Sequence, residues 1–142
     1  MADQLNVFVE NKPGRMSAVT RALSDHNVNI RAVVIQDRGD FGLVKMLVDD
    51  PSRGQAALKE AGLVCARKTV LAVVVEDEPG GVYRLLEVLR QAGLNLLDAY
   101  GFVVESRKTA VFCVEVPDPA KAQAAAEAAG YRLLSDTELY EL

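Results

Sequence analysis

Displaced by 66 positions, this chain lies on itself: Leu5 to Pro51 falls on Leu71 to Pro117 without a gap. Ten positions are then identical: Leu5/Leu71, Val7/Val73, Val9/Val75, Glu10/Glu76, Pro13/Pro79, Gly14/Gly80, Leu23/Leu89, Asn29/Asn95, Val48/Val114 and Pro51/Pro117. Chance supplies roughly three matches in such a window at average residue frequencies. The identities fall on a Pro-Gly turn, an apolar alternation and a paired Asn, where backbone geometry and polar chemistry are decided. Such a chain is expected to fold as two copies of one module, with domains at 1–68 and 69–142 of about 70 residues each. Domains that small bury only about 60% of the surface their unfolded chains expose. Each is therefore expected to find more surface to bury, against its twin or a second chain.

Composition narrows the partners. Half the residues are hydrophobic, and the net charge of −4 comes from interspersed acids and bases. There is no basic stripe to neutralise phosphates, and the Tyr and Phe residues lack Lys/Arg interleaving, so no nucleic-acid partner is expected. No apolar run approaches the roughly 18 residues of a membrane span, and residues 1–10 do not resemble a signal peptide. A soluble, cytoplasmic protein with no membrane partner is the expectation. Cys65 and Cys113 occupy non-equivalent repeat positions among apolar neighbours, which reads as two buried thiols rather than a disulfide. His26 is the only histidine and sits near a helix end, suited to a C-terminal cap contact. No His/Cys cluster has metal-ligand spacing, and neither a metal nor any other cofactor is expected.

The first repeat spells its elements in order. Leu5, Val7 and Val9 alternate with Asn6, Phe8 and Glu10, the pattern of a strand with one buried face. Met16, Val19, Ala22 and Leu23 recur at helical spacing, giving an amphipathic helix over roughly 15–26. Asn27 follows it, and Gly93 follows its counterpart; Asn and Gly best tolerate the left-handed conformation that ends a helix. Ile30 to Ile35 and Gly42 to Val48 read as strands joined by a turn at Arg38-Gly39-Asp40. Asp50-Pro51 and Asp118-Pro119 each place an acidic cap before a proline suited to the first helical position. Short helices, roughly 52–61 and 119–129, end at Gly62 and Gly130, and fourth strands fall near 63–68 and 131–135. In the second repeat Val70 to Glu76 reads as the first strand and Val82, Leu85, Leu86 and Leu89 as the helix face. Leu94 to Val104 and Thr109 to Val116 complete its hairpin. The order β-α-β-β-α-β predicts an α+β chain of two tandem ferredoxin-like units, each an antiparallel four-stranded sheet with two helices on one face. Arg67-Lys68-Thr69 leaves almost no linker, and the tail Ser135 to Leu142 is a candidate to pair with a sheet edge.

The polar residues gather at the first turn of each repeat. A strand leads to Asn11-Lys12-Pro13-Gly14 or to Asp77-Glu78-Pro79-Gly80, a helix opens with Arg15-Met16 or Gly81-Val82, and 18 positions after Asn11 or Asp77 stands Asn29 or Asn95. The β-α-β path is expected to bring each such pair together at one end of the sheet. The amino end of the helix, with unpaired N–H groups and the positive dipole end, would lie between them and favour an anion. Gly14 and Gly80 remove a side chain there and let a ligand approach the backbone. A free α-amino acid suits this arrangement: its carboxylate takes the helix-start amides and its ammonium takes the oxygen of Asn11, Asn29 or Asp77. Taken singly, each of these residues also serves as ordinary turn or strand-end capping chemistry.

The stretches Val9-Glu10-Asn11-Lys12-Pro13-Gly14-Arg15-Met16 and Val75-Glu76-Asp77-Glu78-Pro79-Gly80-Gly81-Val82 resemble the opening of an ACT domain. Asn27-Val28-Asn29-Ile30 and Gly93-Leu94-Asn95-Leu96 resemble the start of its second strand. The likeness covers both repeats and is similar to small stand-alone tandem ACT proteins. It implies the β-α-β-β-α-β fold and a regulatory module, not an enzyme, that binds an amino acid between ACT units. In serine-sensing members the residues matching Asn11 and Asn29 hold the ligand. The implied ligand is a small-molecule amino acid, sensed by the module alone or for a partner enzyme, and a homodimer is expected because pairing two units side by side hides their edge strands. Repeat 2 departs from the pattern with Asp77, Gly81 and Val82 where repeat 1 has Asn11, Arg15 and Met16, which implies two sites that differ in preference or affinity, or one that has lost binding.

Two other functions stay open on residues alone. A ferredoxin-like acyl phosphatase needs an Arg in a phosphate-cradling Gly-rich loop and a nearby Asn; Arg15 beside Gly14 meets this weakly, and repeat 2 replaces it with Gly81. One histidine near a helix end builds no nucleophile–base pair, so no catalytic residue is assigned. An ACT unit kept only for pairing sheets, with no ligand, is the second alternative. Hiding edge strands in a dimer suits either binding reading.

Overall fold

A computed structural model describes residues 1–142 as seven strands and five helices: β1 (Ala2–Glu10), α1 (Arg15–Asp25), β2 (Ile30–Asp37), β3 (Phe41–Val48), α2 (Pro51–Glu60), β4 (Val64–Glu76), α3 (Gly81–Gln91), β5 (Asp98–Glu105), β6 (Thr109–Glu115), α4 (Pro119–Ala128), β7 (Leu133–Leu134) and α5 (Asp136–Tyr140). The chain divides into two compact units, Asp3–Lys68 and Thr69–Leu142, the latter joined by Met1–Ala2. Each is a ferredoxin-like α+β unit. In the first unit the strand order is β2-β3-β1-β4, and in the second it is β5-β6-β4-β7.

The apolar alternation in β1 places Leu5, Val7 and Val9 on one face, opposite Met46, Val44 and Gly42 of β3. Val19, Ala22 and Leu23 of α1 and Leu58 of α2 pack onto that face with Cys65, all nearly inaccessible to water. The second unit repeats the plan with Leu71, Val73 and Val75 of β4 beneath Leu85 and Leu89 of α3 and Ala122 of α4. Each fully buried Leu or Val contributes about 1.5–3 kcal/mol. The opposite face of β1 is not the solvated one that alternation implies: Gln4 and Asn6 are buried there, and the Gln4 amide Nε2 donates to Asn6 Oδ1 at 2.7 Å.

Helix ends follow the capping residues. Asp50 accepts from Arg53 N–H at 2.9 Å and Asp118 from Lys121 N–H at 3.0 Å, each ahead of a proline in the first turn. Asn27 takes a φ of 53° beyond α1, and Val28 N–H closes back on Leu23 C=O at 2.9 Å. Leu94 N–H makes the same closure on Leu89 at 3.0 Å.

The ungapped displacement holds only as far as the hairpin. Glu10 pairs with Phe41, whereas Glu76 pairs with Thr109. The last facing pair of β2–β3 is Asp37 with Gly42, and in β5–β6 the ladder runs through Val103 with Ala110 and then shifts register before Glu105 with Thr109. The second hairpin is therefore longer by two residues: Val104 is taken up in a bulge, where it fits without slipping the buried faces, and the loop has three residues between Glu105 and Thr109 against two between Arg38 and Phe41. Beyond it equivalent residues stand two positions further apart. Pro51 corresponds to Pro119 and not to Pro117, and Val48 corresponds to Val116.

The tail forms no strand on a sheet edge. Ser135 and Glu138 make a reciprocal capping box that starts α5, and Leu139 is buried. A Ser followed three residues later by Glu favours this helical start. Cys65 and Cys113 are both buried free thiols, and burial pushes the Cys113 thiol up to about 12. No helix is long and apolar enough to cross a membrane.

Candidate functional site

Asn11 follows β1 directly and is committed to the hairpin beside it. Its Nδ2 donates to Asp37 Oδ1 and to the Gly39 carbonyl, each at 3.1 Å, while its backbone N–H donates to the Asp40 carbonyl at 3.0 Å. That leaves Asn11 Oδ1 as an unused acceptor on an exposed residue. Asp77 faces the longer hairpin of the second unit differently: its Oδ2 accepts from Arg107 N–H at 2.6 Å. The loop decides which residue fits. The first hairpin offers oxygens and needs a donor; the second offers an N–H and needs an acceptor. The Asn-to-Asp difference between the repeats thus has a structural cause that repeat comparison alone did not reveal.

Gly14 and Gly80 stand at the N-caps of α1 and α3 with φ of 84° and 90°, in the left-handed region that glycine reaches without penalty. Neither helix has a side-chain cap. Arg15 N–H turns back to the Lys12 carbonyl and Ala18 N–H to Gly14, which leaves the N–H groups of Met16 and Ser17 open. Pro13 and Pro79 are exposed in the turns. Met16 is half-buried against the first core, and Val82 is 38% exposed. Gly81 differs from Arg15 for a steric reason: a Cβ there would meet the Glu76 carbonyl oxygen at 2.2 Å.

Charge separates the two turns. In the first, Lys12 Nζ lies 2.9 Å and Arg15 Nη2 3.4 Å from Glu10 Oε2, two bases on one acid. The Lys12 hydrogen bond, then the Arg15 charge, hold the Glu10 carboxyl below its usual range. In the second, Arg84 Nη2 clamps Glu76 at 2.7 Å and Glu78 at 2.6 Å, with Asp77 between them. Its bond to Glu78 lowers that carboxyl and raises the guanidinium. Within the turns alone, Glu10, Lys12 and Arg15 leave one positive charge at the first helix start, beside Asp37. Glu76, Asp77, Glu78 and Arg84 leave two negative charges at the second, which oppose the dipole's preference for an anion.

Asn29 and Asn95 are not beside these turns. β1 and β2 each run antiparallel to β3, hence parallel to one another. A parallel return strand starts at the end opposite to where its predecessor finished, so Asn29 and Asn11 are separated by the length of β2. At roughly 3.4 Å per residue that is about 24 Å. The expectation that one β-α-β path brings the pair together is corrected: the helix carries the chain back across the sheet before β2 begins. The helix start accompanies Asn11, not Asn29.

Asn29 instead opens onto a cleft of about 370 Å³ formed with Thr20, Ser24, Asn27, Val28, Ile30 and Asp49. Its N–H donates to Asp49 Oδ1 at 2.9 Å and its carbonyl accepts from Asp49 N–H at 3.1 Å, so the backbone is fixed and the exposed amide is unengaged. Ile30 is half-buried against the first core, and Leu96 against the second. Asn95 is exposed at the matching place. Sequence reasoning missed Thr20, Ser24 and Asp49, although the Thr20–Ser24–Asn27 spacing on one side of α1 was readable. No group of three or more His, Cys, Asp or Glu side chains is placed to hold a metal ion.

The fold and the doubled helix-start turn define the class: a tandem pair of ferredoxin-like ACT units. The ACT domain pair family model matches residues 1–141, and the chain belongs to that family. It is similar to the crystal structure of protein BT0572 from Bacteroides thetaiotaomicron, with a TM-score of 0.93, 28% identity, and coverage of 99% of this chain and 96% of that one. It also shares the fold of the ligand-free regulatory subunit of aspartate kinase from Thermus thermophilus, with a TM-score of 0.67, 16% identity, and coverage of 90% of both chains. The corresponding subunit from Thermus flavus gives a TM-score of 0.60 at 13% identity over 90% of this chain and 92% of that one. No curated protein matches the sequence.

Proposed function

We propose that the chain is a non-catalytic regulatory module that binds a free α-amino acid where an ACT unit meets an ACT unit of a second chain in a homodimer. The observation that carries this is the first helix start. Two open N–H groups and a left-handed glycine without a side chain stand at an exposed helix start, with Asn11 Oδ1 unused in the same turn and Lys12 and Arg15 paired to Glu10. A carboxylate matches the N–H groups and cations, and an ammonium matches the oxygen. Since Asn29 lies a strand length away in its own unit, the ligand reaches an Asn29 amide only when a second copy supplies it. Repeat 1 is the stronger site, because the acidic turn of repeat 2 repels the carboxylate that the dipole attracts. The regulatory role is carried over from the aspartate kinase subunits whose fold it shares, exercised alone or on a partner enzyme.

A thermal-shift screen of the full chain against the common amino acids tests this. A ligand at 100 times its Kd adds about 2.7 kcal/mol of stability, enough to raise the Tm by several degrees. The response should vanish in Asn29→Ala and persist in Asn95→Ala. If no amino acid at millimolar concentration moves the Tm, the ligand-free alternative, an ACT pair that only mediates association, takes its place.

A further inference from the structure

The second unit carries a cleft beside its own helix start, which the amino-acid site of repeat 1 does not use. It measures about 410 Å³ and is lined by the end of β4 with Gly81 and Arg84 of α3, Lys108 and Thr109 at the start of β6, and Tyr131 and Arg132 between α4 and β7. The volume lies within the range of small-molecule sites.

Its lining is specific to one repeat. Aligned through the strand registers and the matching closures Leu63 N–H to Leu58 and Tyr131 N–H to Ala126, repeat 1 has Ala18 for Arg84, Asp40 for Lys108, Phe41 for Thr109, Leu63 for Tyr131 and Val64 for Arg132. One module thus carries three cations and two hydroxyls where its twin carries apolar side chains, an acid and, at the Gly81 position, Arg15 paired with Glu10. The fold does not require them, since the first unit forms without them.

The lining also has more donors than the protein uses. Arg84 commits only Nη2, to Glu76 and Glu78, and Arg132 only Nη2, to Glu138 at 2.7 Å. A guanidinium has five N–H donors, so Nε and Nη1 of both remain. The half-buried hydroxyls of Tyr131 and Thr109 make no protein hydrogen bond, and Lys108 holds a single carboxylate, Glu105. Glu76 is the only acid in the wall, and Arg84 already occupies it.

We propose that this cleft is a second ligand site, for a small molecule bearing an oxyanion, either a phosphate or a carboxylate. Arg84 and Arg132 grip the anionic oxygens as planar forks, and the two hydroxyls take those remaining. The acids that repel an anion at the helix start hold the Arg84 side chain in place here. Glu76, Gly81 and Arg84 are shared by the two regions.

Isothermal titration of the full chain with inorganic phosphate, and separately with succinate, against chloride at matched ionic strength tests the assignment. One saturable site per chain is expected for at least one probe, and whichever binds more tightly identifies the source. Restoring repeat 1's residues in the triple variant Arg84→Ala, Tyr131→Leu, Arg132→Val should weaken that binding at least tenfold. The exposed single variant Arg132→Val should weaken it measurably with an unchanged Tm, and Arg132→Lys should fall between. No saturable binding by either probe, or equal binding by parent and Arg132→Val, overturns the proposal. Because Asn11 and Asn29 take no part, failure here leaves the amino-acid screen unaffected.

Discussion

Asn11 Nδ2 donates to Asp37 Oδ1 at 3.1 Å across the hairpin of the first unit, and this bond decides what the residue can offer a ligand. The amide nitrogen is turned toward the loop and the oxygen away from it. The same residue is thus a structural clasp whose oxygen is left unused, so its structural role does not exclude the proposed acceptor role.

Exchanging the clasp residues between repeats should have unequal effects. Asn11→Asp removes the donor and places a carboxylate against Asp37, for an expected loss of about 1 kcal/mol, the net worth of such a bond. Asp77→Asn keeps an oxygen for Arg107 N–H and should cost little. Urea unfolding of both variants checks this, and equal losses would contradict it.

The glycines at the two helix starts are needed for different reasons. At Gly14 the space is open and the constraint is the φ of 84°, so Gly14→Ala should cost about 1–2 kcal/mol and Gly14→Asn less, since Asn tolerates the left-handed region. At Gly81 the constraint is the Glu76 carbonyl, 2.2 Å from any Cβ. Gly81→Ala should cost about 1–3 kcal/mol with no relief from Asn. Denaturation midpoints of the four variants separate the two causes.

His26 gives the chain a pH dependence of known sign. Nδ1–H donates to the Ala22 carbonyl at 2.9 Å, and Nε2 lies 3.3 Å from Glu60 Oε2. The Ala22 bond chiefly, then Glu60, raise its pKa against the opposing effect of burial. A raised cation pKa means the stabilisation is complete below the unfolded value near 6.5 and is lost as pH rises through the folded value. NMR titration should show His26 above 6.5, and Glu60→Gln should bring it down part of the way. A titration unmoved by Glu60→Gln would assign the whole shift to the helix carbonyl.

Local signals carried much of the fold. The alternation of Leu5, Val7 and Val9, the Asp-Pro helix starts and the Asn27/Gly93 stops each act within a few residues, and each names its element directly. What failed was longer in range. The two extra residues of the second hairpin are invisible to an ungapped comparison, because Val48/Val114 and Pro51/Pro117 match by coincidence. Asn11 and Asn29 are evenly spaced in sequence, but parallel strands place that spacing across a whole sheet. The Ser135 capping box was legible and was passed over. The cleft around Arg84 and Tyr131 is not legible in the repeat, because its lining lies where the two copies differ.

In the proposed site one ligand takes its contacts from two chains, Asn11 of one and Asn29 of another. Titrate the amino acid found by the screen into Asn11→Ala chains, Asn29→Ala chains and an equimolar mixture after subunit exchange, all carrying Asn95→Ala to silence the second repeat. Each variant alone should fail to bind, and the mixture should recover binding, because a mixed dimer contains one intact pair. Either single variant binding as tightly as its Asn95→Ala parent, or a mixture as silent as its components, would contradict it.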